Sequence, residues 1–392
     1  MFKKILVVTL SIALAGCALK TKKTGPFDDG MIAEAQKEKT KTAVFLPLSG
    51  ESAALGDAFR NAILMAQLDR STDEVTEVDF YDTKGTSQGA TEAYLKAQKN
   101  GADIILGPVF SNSVAAIKNL DPDIPVLSFT SDTSVLGDNV YSMALLIEEQ
   151  IKRIVKFACE KGQFRIALLG PNDKTGSMVL KSFEEAITYC PGMQLSHISL
   201  YESQNPDLMA AVQKIAPPLI DLKDKELTEE EKQLAQNPTA ERIEFDALFV
   251  FEQGVKLQQL ISLLSYYDVT PNLVAFYGLA TLRGQGSREL VGAYFADLPQ
   301  NHLNIYQKNY QEAFFTKPVS VSALGYDGIS LISHLSQKEM LNKKALLNED
   351  GFVGLNGRFR FNKDGTNDRL LEMFQIRGKN YIIKVSPADS SF

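Results

Sequence analysis

Hydroxyl side chains gather at two neighbouring points in the stretch from Gly101 to Asp132, GADIILGPVFSNSVAAIKNLDPDIPVLSFTSD. Ser111 marks the first point, and Ser128, Thr130 and Ser131 mark the second. Such groups hold a small polar molecule by hydrogen bonding, and they also cap helices and close turns. Residues suited to catalysis are harder to assemble. Gly85-Thr86-Ser87-Gln88-Gly89 has the G-x-S-x-G spacing of a hydrolase nucleophile elbow. The elbow needs its serine on a sharp turn directly after a strand. Here Asp82-Thr83-Lys84 intervene after a strand ending near Tyr81, so Ser87 is expected to cap a helix. His197, His302 and His334 have no loop context that would bring one to Ser87, and none is at metal-ligand spacing from another His or Cys. No S-x-x-K occurs. The Gly170–Gly176 loop holds Lys174 but no Gly-Lys-Ser/Thr, so it is no phosphate loop. Asp121 and Asp123 flank Pro122 and read as a turn. No catalytic residue, metal or cofactor is expected.

The elements that must place these hydroxyls follow from local pattern. Asp103–Leu106 is a short apolar run read as a buried strand, broken by Gly107-Pro108. Ser111-Asn112-Ser113 offers N-cap oxygens to a helix through Lys118, and Pro125-Val126-Leu127 begins the next strand. Both hydroxyl groups therefore fall at the carboxyl ends of neighbouring strands, where a parallel α/β sheet forms its binding crevice. Before them come a strand at Thr42–Leu48, a turn at Ser49–Ser52 and a helix at Ala53–Leu68. A strand at Val75–Tyr81 and a helix at Ser87–Gln98 complete that run. After Tyr141 the β-α pattern repeats. Helices are expected at Leu145–Glu160, Ser177–Tyr189, Asp207–Ile215 and Val255–Tyr267, and strands at Arg165–Leu169, Leu195–Leu200, Ala247–Phe251 and Leu273–Phe276. The fold class is α/β, with two similar lobes facing each other across a cleft. Asp221–Glu244, dense in Lys and Glu, reads as a solvated helical insertion. Helices at Leu303–Phe315 and Ser322–Leu335 precede glycine-spaced antiparallel strands between Gly351 and Val385, which are expected to return to the lobes and form the hinge.

A chain of 392 residues exceeds what one core usually serves. Its net charge of −7 and lack of a basic patch argue against nucleic acid. At the N-terminus, Lys3 and Lys4 precede an apolar segment from Ile5 to Ala15, too short to span a membrane and right for a signal peptide. It ends in Leu14-Ala15-Gly16-Cys17, which matches the bacterial lipobox and implies cleavage before Cys17 and its lipidation. Residue Ala18 is not the aspartate that, in enteric bacteria, opposes outer-membrane sorting. The chain is thus expected in the periplasm, anchored through Cys17 to the cell membrane or the outer membrane. Cys159 and Cys190 sit near the ends of consecutive helices, and export to an oxidising compartment leaves them either bridged or as two small buried thiols.

FLPLSGESAALG (Phe45 to Gly56), YDTKGTSQGATEA (Tyr81 to Ala93), ILGPVFSNSV (Ile105 to Val114) and IPVLSFTSD (Ile124 to Asp132) together resemble type I periplasmic binding proteins of the leucine-binding kind. RIALLGPNDKTG (Arg165 to Gly176), ALGYDG (Ala323 to Gly328) and GLNGRFRF (Gly354 to Phe361) continue the match. The resemblance implies two Rossmann-like lobes joined by three crossing strands. Residues 1–16 would be the lipoprotein signal and 17–41 a flexible tether. Residues 42–142 plus 299–350 would form lobe 1, and 143–298 plus 351–385 lobe 2. It also implies a ligand-binding set of Ser49, Ser111, Ser128, Thr130, Ser131, Thr175 and Tyr277. Half of the amino-acid clamp is replaced. Thr175 stands where an aromatic is usual, and the loop Tyr277–Thr281 has no acid to answer an ammonium. VFLPLSG, ILGPVFS, FTSD with GDNVYSMAL, and GYDGISLI resemble a subgroup, the lipoproteins called penicillin-binding-protein activators. That subgroup implies contact with a peptidoglycan synthase. The alternative implied by the wider family is the receptor of an ABC importer, with a permease as partner and a small polar ligand in the cleft.

Overall fold

A computed structural model of the chain describes residues 39–70, 76–216, 243–379 and 381–392. The signal segment, Cys17 and most of the Asp221–Glu244 stretch lie outside the described residues.

The apolar runs of the first half become the strands β1 (Thr40–Leu46), β2 (Thr76–Asp82), β3 (Ile104–Leu106), β4 (Val126–Ser128) and β5 (Val140–Ser142). They pair in parallel in the order β2-β1-β3-β4-β5. Helices α1 (Ala53–Arg70), α2 (Ser87–Lys99) and α3 (Ser111–Lys118) follow the first three strands. Two expected caps shift by one residue. The N-cap of α3 is Phe110, with no side-chain bond, and that of α2 is Thr86, which accepts from the Gly89 amide. Ser87 is the first residue of α2, and its Oγ donates to the Asn112 carbonyl at 3.0 Å. One face of this sheet is covered by α1 and by α9 (Ala323–Gln337), whose residues from Ala323 to Ser333 are all buried. Glycines allow that close packing. A Cβ on Gly325 would lie 3.2 Å from both Ile63 and Phe59, and one on Gly328 2.4 Å from Leu106.

The second sheet has the order β15-β14-β10-β9-β8-β6-β7. Its parallel part comprises β6 (Arg165–Pro171), β7 (Gln194–Tyr201), β8 (Ala247–Val250), β9 (Ala275–Gly278) and β10 (Tyr294–Asp297). Strand β14 (Glu372–Gly378) adds antiparallel to β10, and β15 (Tyr381–Ser386) antiparallel to β14. Helices α4 (Ile147–Glu160) and α5 (Lys174–Ala186) cover one face; α6 (Leu208–Gln213) and α7 (Gly254–Tyr266) cover the other. A disulfide joins Cys159 of α4 to Cys190, just beyond α5, with Cα atoms 6.1 Å apart.

The remaining strands, β11 (Phe352–Gly354), β12 (Gly357–Phe361) and β13 (Asn367–Arg369), form an antiparallel ribbon. Its position differs from the expected grouping of 351–385 with lobe 2. Phe352, Phe359 and Phe361 pack into the core of the first lobe, beside Tyr306 and Tyr310 of α8 (Asn301–Phe314). The reason is polar as well as apolar. Asp327 of α9 is fully buried and accepts from the Leu355 amide (2.7 Å), the Asn356 amide (3.1 Å) and Asn356 Nδ2 (2.7 Å). Only β14 and β15 extend the second sheet.

Candidate cleft between the lobes

Three described segments cross between the lobes: Ser142 to Ile147, Asp297 to Asn301, and Arg369 to Glu372. Each is fixed by a buried polar side chain. Asn367 Nδ2 donates to the carbonyls of Ser142 and Ala144, both at 2.9 Å. Arg369 donates to the carbonyls of Met143 and Ala144, and its own amide donates to Glu149 Oε2 at 3.1 Å. Arg283 Nε reaches Asp297 Oδ2 at 2.6 Å, and its guanidinium lies 5.2 Å from the Phe295 ring and 4.7 Å from the Phe374 ring. Burial pushes the Asp297 carboxyl above its ordinary value, and Arg283 works against that shift.

Beside these crossings lie two adjoining cavities. The larger, 660 Å³, is lined by Arg283, Asp297, Tyr306 and Val321 among others; the smaller, 510 Å³, by Asp173, Thr175, Glu252 and Gln150. Ser131, Leu145, Ala280 and Thr281 face both. Both volumes fall in the range of about 300–1,000 Å³ typical of small-molecule sites. The smaller wall has two carboxylates and neither lysine nor arginine. Both carboxylates already have partners. Glu252 Oε2 accepts from Tyr201 at 2.5 Å, while Asp173 caps α5 through the Gly176 amide and accepts from Ser203 at 3.0 Å.

Of the seven expected ligand residues, Ser131 and Thr175 face these cavities. The others serve the scaffold or stand aside. Ser128 is buried and its Oγ donates to the Tyr141 carbonyl at 3.0 Å, tying β4 to β5. Thr130 is buried; its Oγ1 accepts from the Asp132 amide at 3.2 Å and its carbonyl accepts from Ser142 Oγ at 2.6 Å. Ser49 is exposed and hydrogen-bonds Asp82, and Ser111 begins α3; neither lines either cavity. Tyr277 is a correction. It points into the core against Phe157 and Tyr294, and its hydroxyl donates to Gln163 Oε1 at 2.6 Å.

A cross-lobe clasp escaped the sequence reading. Lys174 Nζ, at the start of α5, lies 2.5 Å from Asp132 Oδ2 and 3.1 Å from Ser134 Oγ. Thr133 Oγ1 donates to Glu148 Oε1 of α4 at 3.2 Å. Burial works to raise the Asp132 carboxyl, but hydrogen bonds from Lys174 and Ser134 and the Lys174 charge outweigh it and hold it below its ordinary value. Lys174 stood out in the sequence only as a lysine in a glycine-bounded loop. Nothing local showed that its partner lay 42 residues earlier.

A family profile described as "LppC putative lipoprotein" matches residues 29–364. The chain belongs to this family. That description is in keeping with the Cys17 motif and implies a periplasmic lipoprotein. Among curated relatives, the penicillin-binding protein activator LpoA of Dickeya chrysanthemi is 27% identical over 124 residues. That match covers 31% of this chain and only 18% of the relative's length. The C-domain of Haemophilus influenzae LpoA, described as a regulator of PBP1A, superposes with a TM-score of 0.62 at 17% identity, covering 88% of this chain and 99% of that one. The leucine-binding protein LivK of Thermotoga maritima superposes with a TM-score of 0.57 at 16% identity, covering 90% and 99%. The LppC chain therefore has the two-lobed fold of type I periplasmic binding proteins.

Proposed function

We propose that this LppC-family chain is a non-catalytic, lipid-anchored periplasmic protein that activates a peptidoglycan synthase of the penicillin-binding class by direct contact. Cys17 carries the lipid, and the lack of aspartate at position 18 favours the outer membrane. The observation that carries the reading is the state of the hydroxyl set. Ser128 and Thr130, the residues best placed to grip a ligand's carboxylate, are buried in bonds within the first lobe. The likeness to LpoA supports the choice of partner.

One feature favours a second reading as an importer receptor. Asp173 and Glu252 supply on the smaller cavity the acids that the Tyr277–Thr281 loop lacks, so an ammonium-bearing ligand would find a counter-charge there. The test is a pull-down of the soluble form, starting at Ala18, against solubilised envelope proteins. Capture of a bifunctional penicillin-binding protein, with increased glycan crosslinking when the chain is added, is expected. Capture of a permease, or no synthase together with a cationic ligand that raises the melting temperature, would replace the first reading with the second.

A further inference from the structure

The C-terminal residues leave the second lobe and end on the first. Strand β15 closes the second sheet at Ser386, and residues 387–392 continue past it. Their first half is held by α4. Arg153 Nη2 donates to Ser386 Oγ at 2.6 Å and to the Pro387 carbonyl at 3.1 Å, and Lys156 Nζ lies 2.8 Å from Asp389 Oδ1. Their second half is held by the ribbon that packs into the first lobe. Arg358 Nη1 donates to the Ser390 carbonyl at 3.2 Å. The Phe392 ring lies 4.7 Å from the Arg360 guanidinium and 5.8 Å from that of Arg358. Gly351 makes room for the ring, since a Cβ there would meet Phe392 Cε2 at 2.9 Å. A chain end is usually loose unless something ties it down. Here the ties come from both lobes.

This segment is built to let go. A cavity of 250 Å³ is lined by its Asp389, Ser391 and Phe392 together with Leu370 and Leu371 of the third crossing segment, so the tail spans a gap there. None of residues 387–392 is buried. Its hold on the first lobe is one ring beside two guanidinium groups and one hydrogen bond, and losing them uncovers no core. The three crossing segments differ, because each is continuous chain fixed by a buried polar side chain. We propose that residues 387–392 form a releasable strap that limits how far the lobes open, with Phe392 as its catch on the first lobe. The strap stands whichever partner or ligand the chain binds. The competing account is a tail that lies on the surface without tying the lobes, and it predicts no effect of Phe392 on opening.

The test is hydrogen exchange on the oxidised soluble chain, read at the Arg369 amide. That amide runs from the ribbon to Glu149 Oε2 of α4 at 3.1 Å and is bonded to no strap residue. Phe392→Ala removes the catch, and exchange there is expected to rise by about fivefold, the factor exposed cation–π contacts supply. Phe392→Leu keeps apolar bulk without a ring and should behave like Phe392→Ala. Phe392→Tyr keeps the ring and should exchange at the parental rate. The Leu106 amide in the first sheet is expected to stay unchanged in all three variants. Parental exchange at Arg369 in Phe392→Ala, an equal rise in Phe392→Tyr, or a matching rise at Leu106 would each overturn the proposal.

Discussion

Removing the clasp should loosen the lobes by an amount that the geometry sets. Lys174 is 61% exposed and Asp132 is 18% exposed, so their pair falls near the top of the range for surface ion pairs, about 1 kcal/mol. Lys174→Ala also removes the bond to Ser134. Thr133→Ala deletes the contact with Glu148, worth about 1 kcal/mol for a partly buried hydrogen bond. Together the two substitutions take away about 2 kcal/mol, a change of roughly thirtyfold in the opening equilibrium. Hydrogen exchange reads that constant even when the open state is rare, because exchange from the open form scales with its population. The informative amide is that of Arg369, which donates from the end of the first-lobe ribbon to Glu149 Oε2 of α4 in the second lobe at 3.1 Å and keeps its partner in the double variant. Its exchange is expected to rise by about the same roughly thirtyfold factor, while buried strand amides such as Leu106 stay unchanged. Equal exchange in the double variant and the parent would refute the reasoning and place lobe positioning in Asn367, Arg369, the Arg283–Asp297 pair and the C-terminal strap.

The same clasp is acid-sensitive. Asp132 has a lowered folded pKa, so its contribution is present above the ordinary carboxylate range near 4 and disappears as the pH falls through the folded value; cleft exchange should accelerate there, and should not in Asp132→Asn. Reducing Cys159–Cys190, which are 31 residues apart, should cost the second lobe about 3.7 kcal/mol by the loop-entropy estimate, measured as a urea-midpoint shift; a shift below a quarter of that would refute it. Asp327→Ala strips three donors of their acceptor and leaves buried Arg369 with Glu149 as its remaining nearby countercharge, so a loss of about 3 kcal/mol is expected in denaturant unfolding, with exchange rising first in the 352–361 ribbon.

Much of the fold is written in local pattern, because short apolar strands followed by amphipathic helices leave few options in a parallel sheet. The ribbon is the instructive exception. Phe352, Phe359 and Phe361 carry alternation enough to be read as strands, but not the information that Asp327 draws their turn onto α9 of the first lobe. The site was less legible. Ser128, Thr130 and Ser131 are near neighbours at a strand end, yet one ties two strands, one closes a turn and one faces the cavities. A hydroxyl's role depends on which acceptor lies within about 3 Å, and that acceptor belongs to another segment. Arg283 and Asp297 were passed over for the same reason, as were Lys174 and Asp132. Charge type is visible in the sequence, but pairing between distant segments is not.

The packing of α1 against α9 has a bearing on how this protein is made. An exported chain is delivered N-terminus first, and Phe59 and Ile63 of α1 meet their partner glycine at position 325 only when most of the polypeptide has emerged. Until then that face of the first sheet has only α1 of the pair to cover it, while the parallel strands of the second can already pair among themselves. The early product of translocation is therefore a half-dressed first lobe that presents oily surface in a compartment it shares with other unfolded chains. Late arrival of a single helix, rather than slow pairing of any strand, would set how long that surface needs shelter.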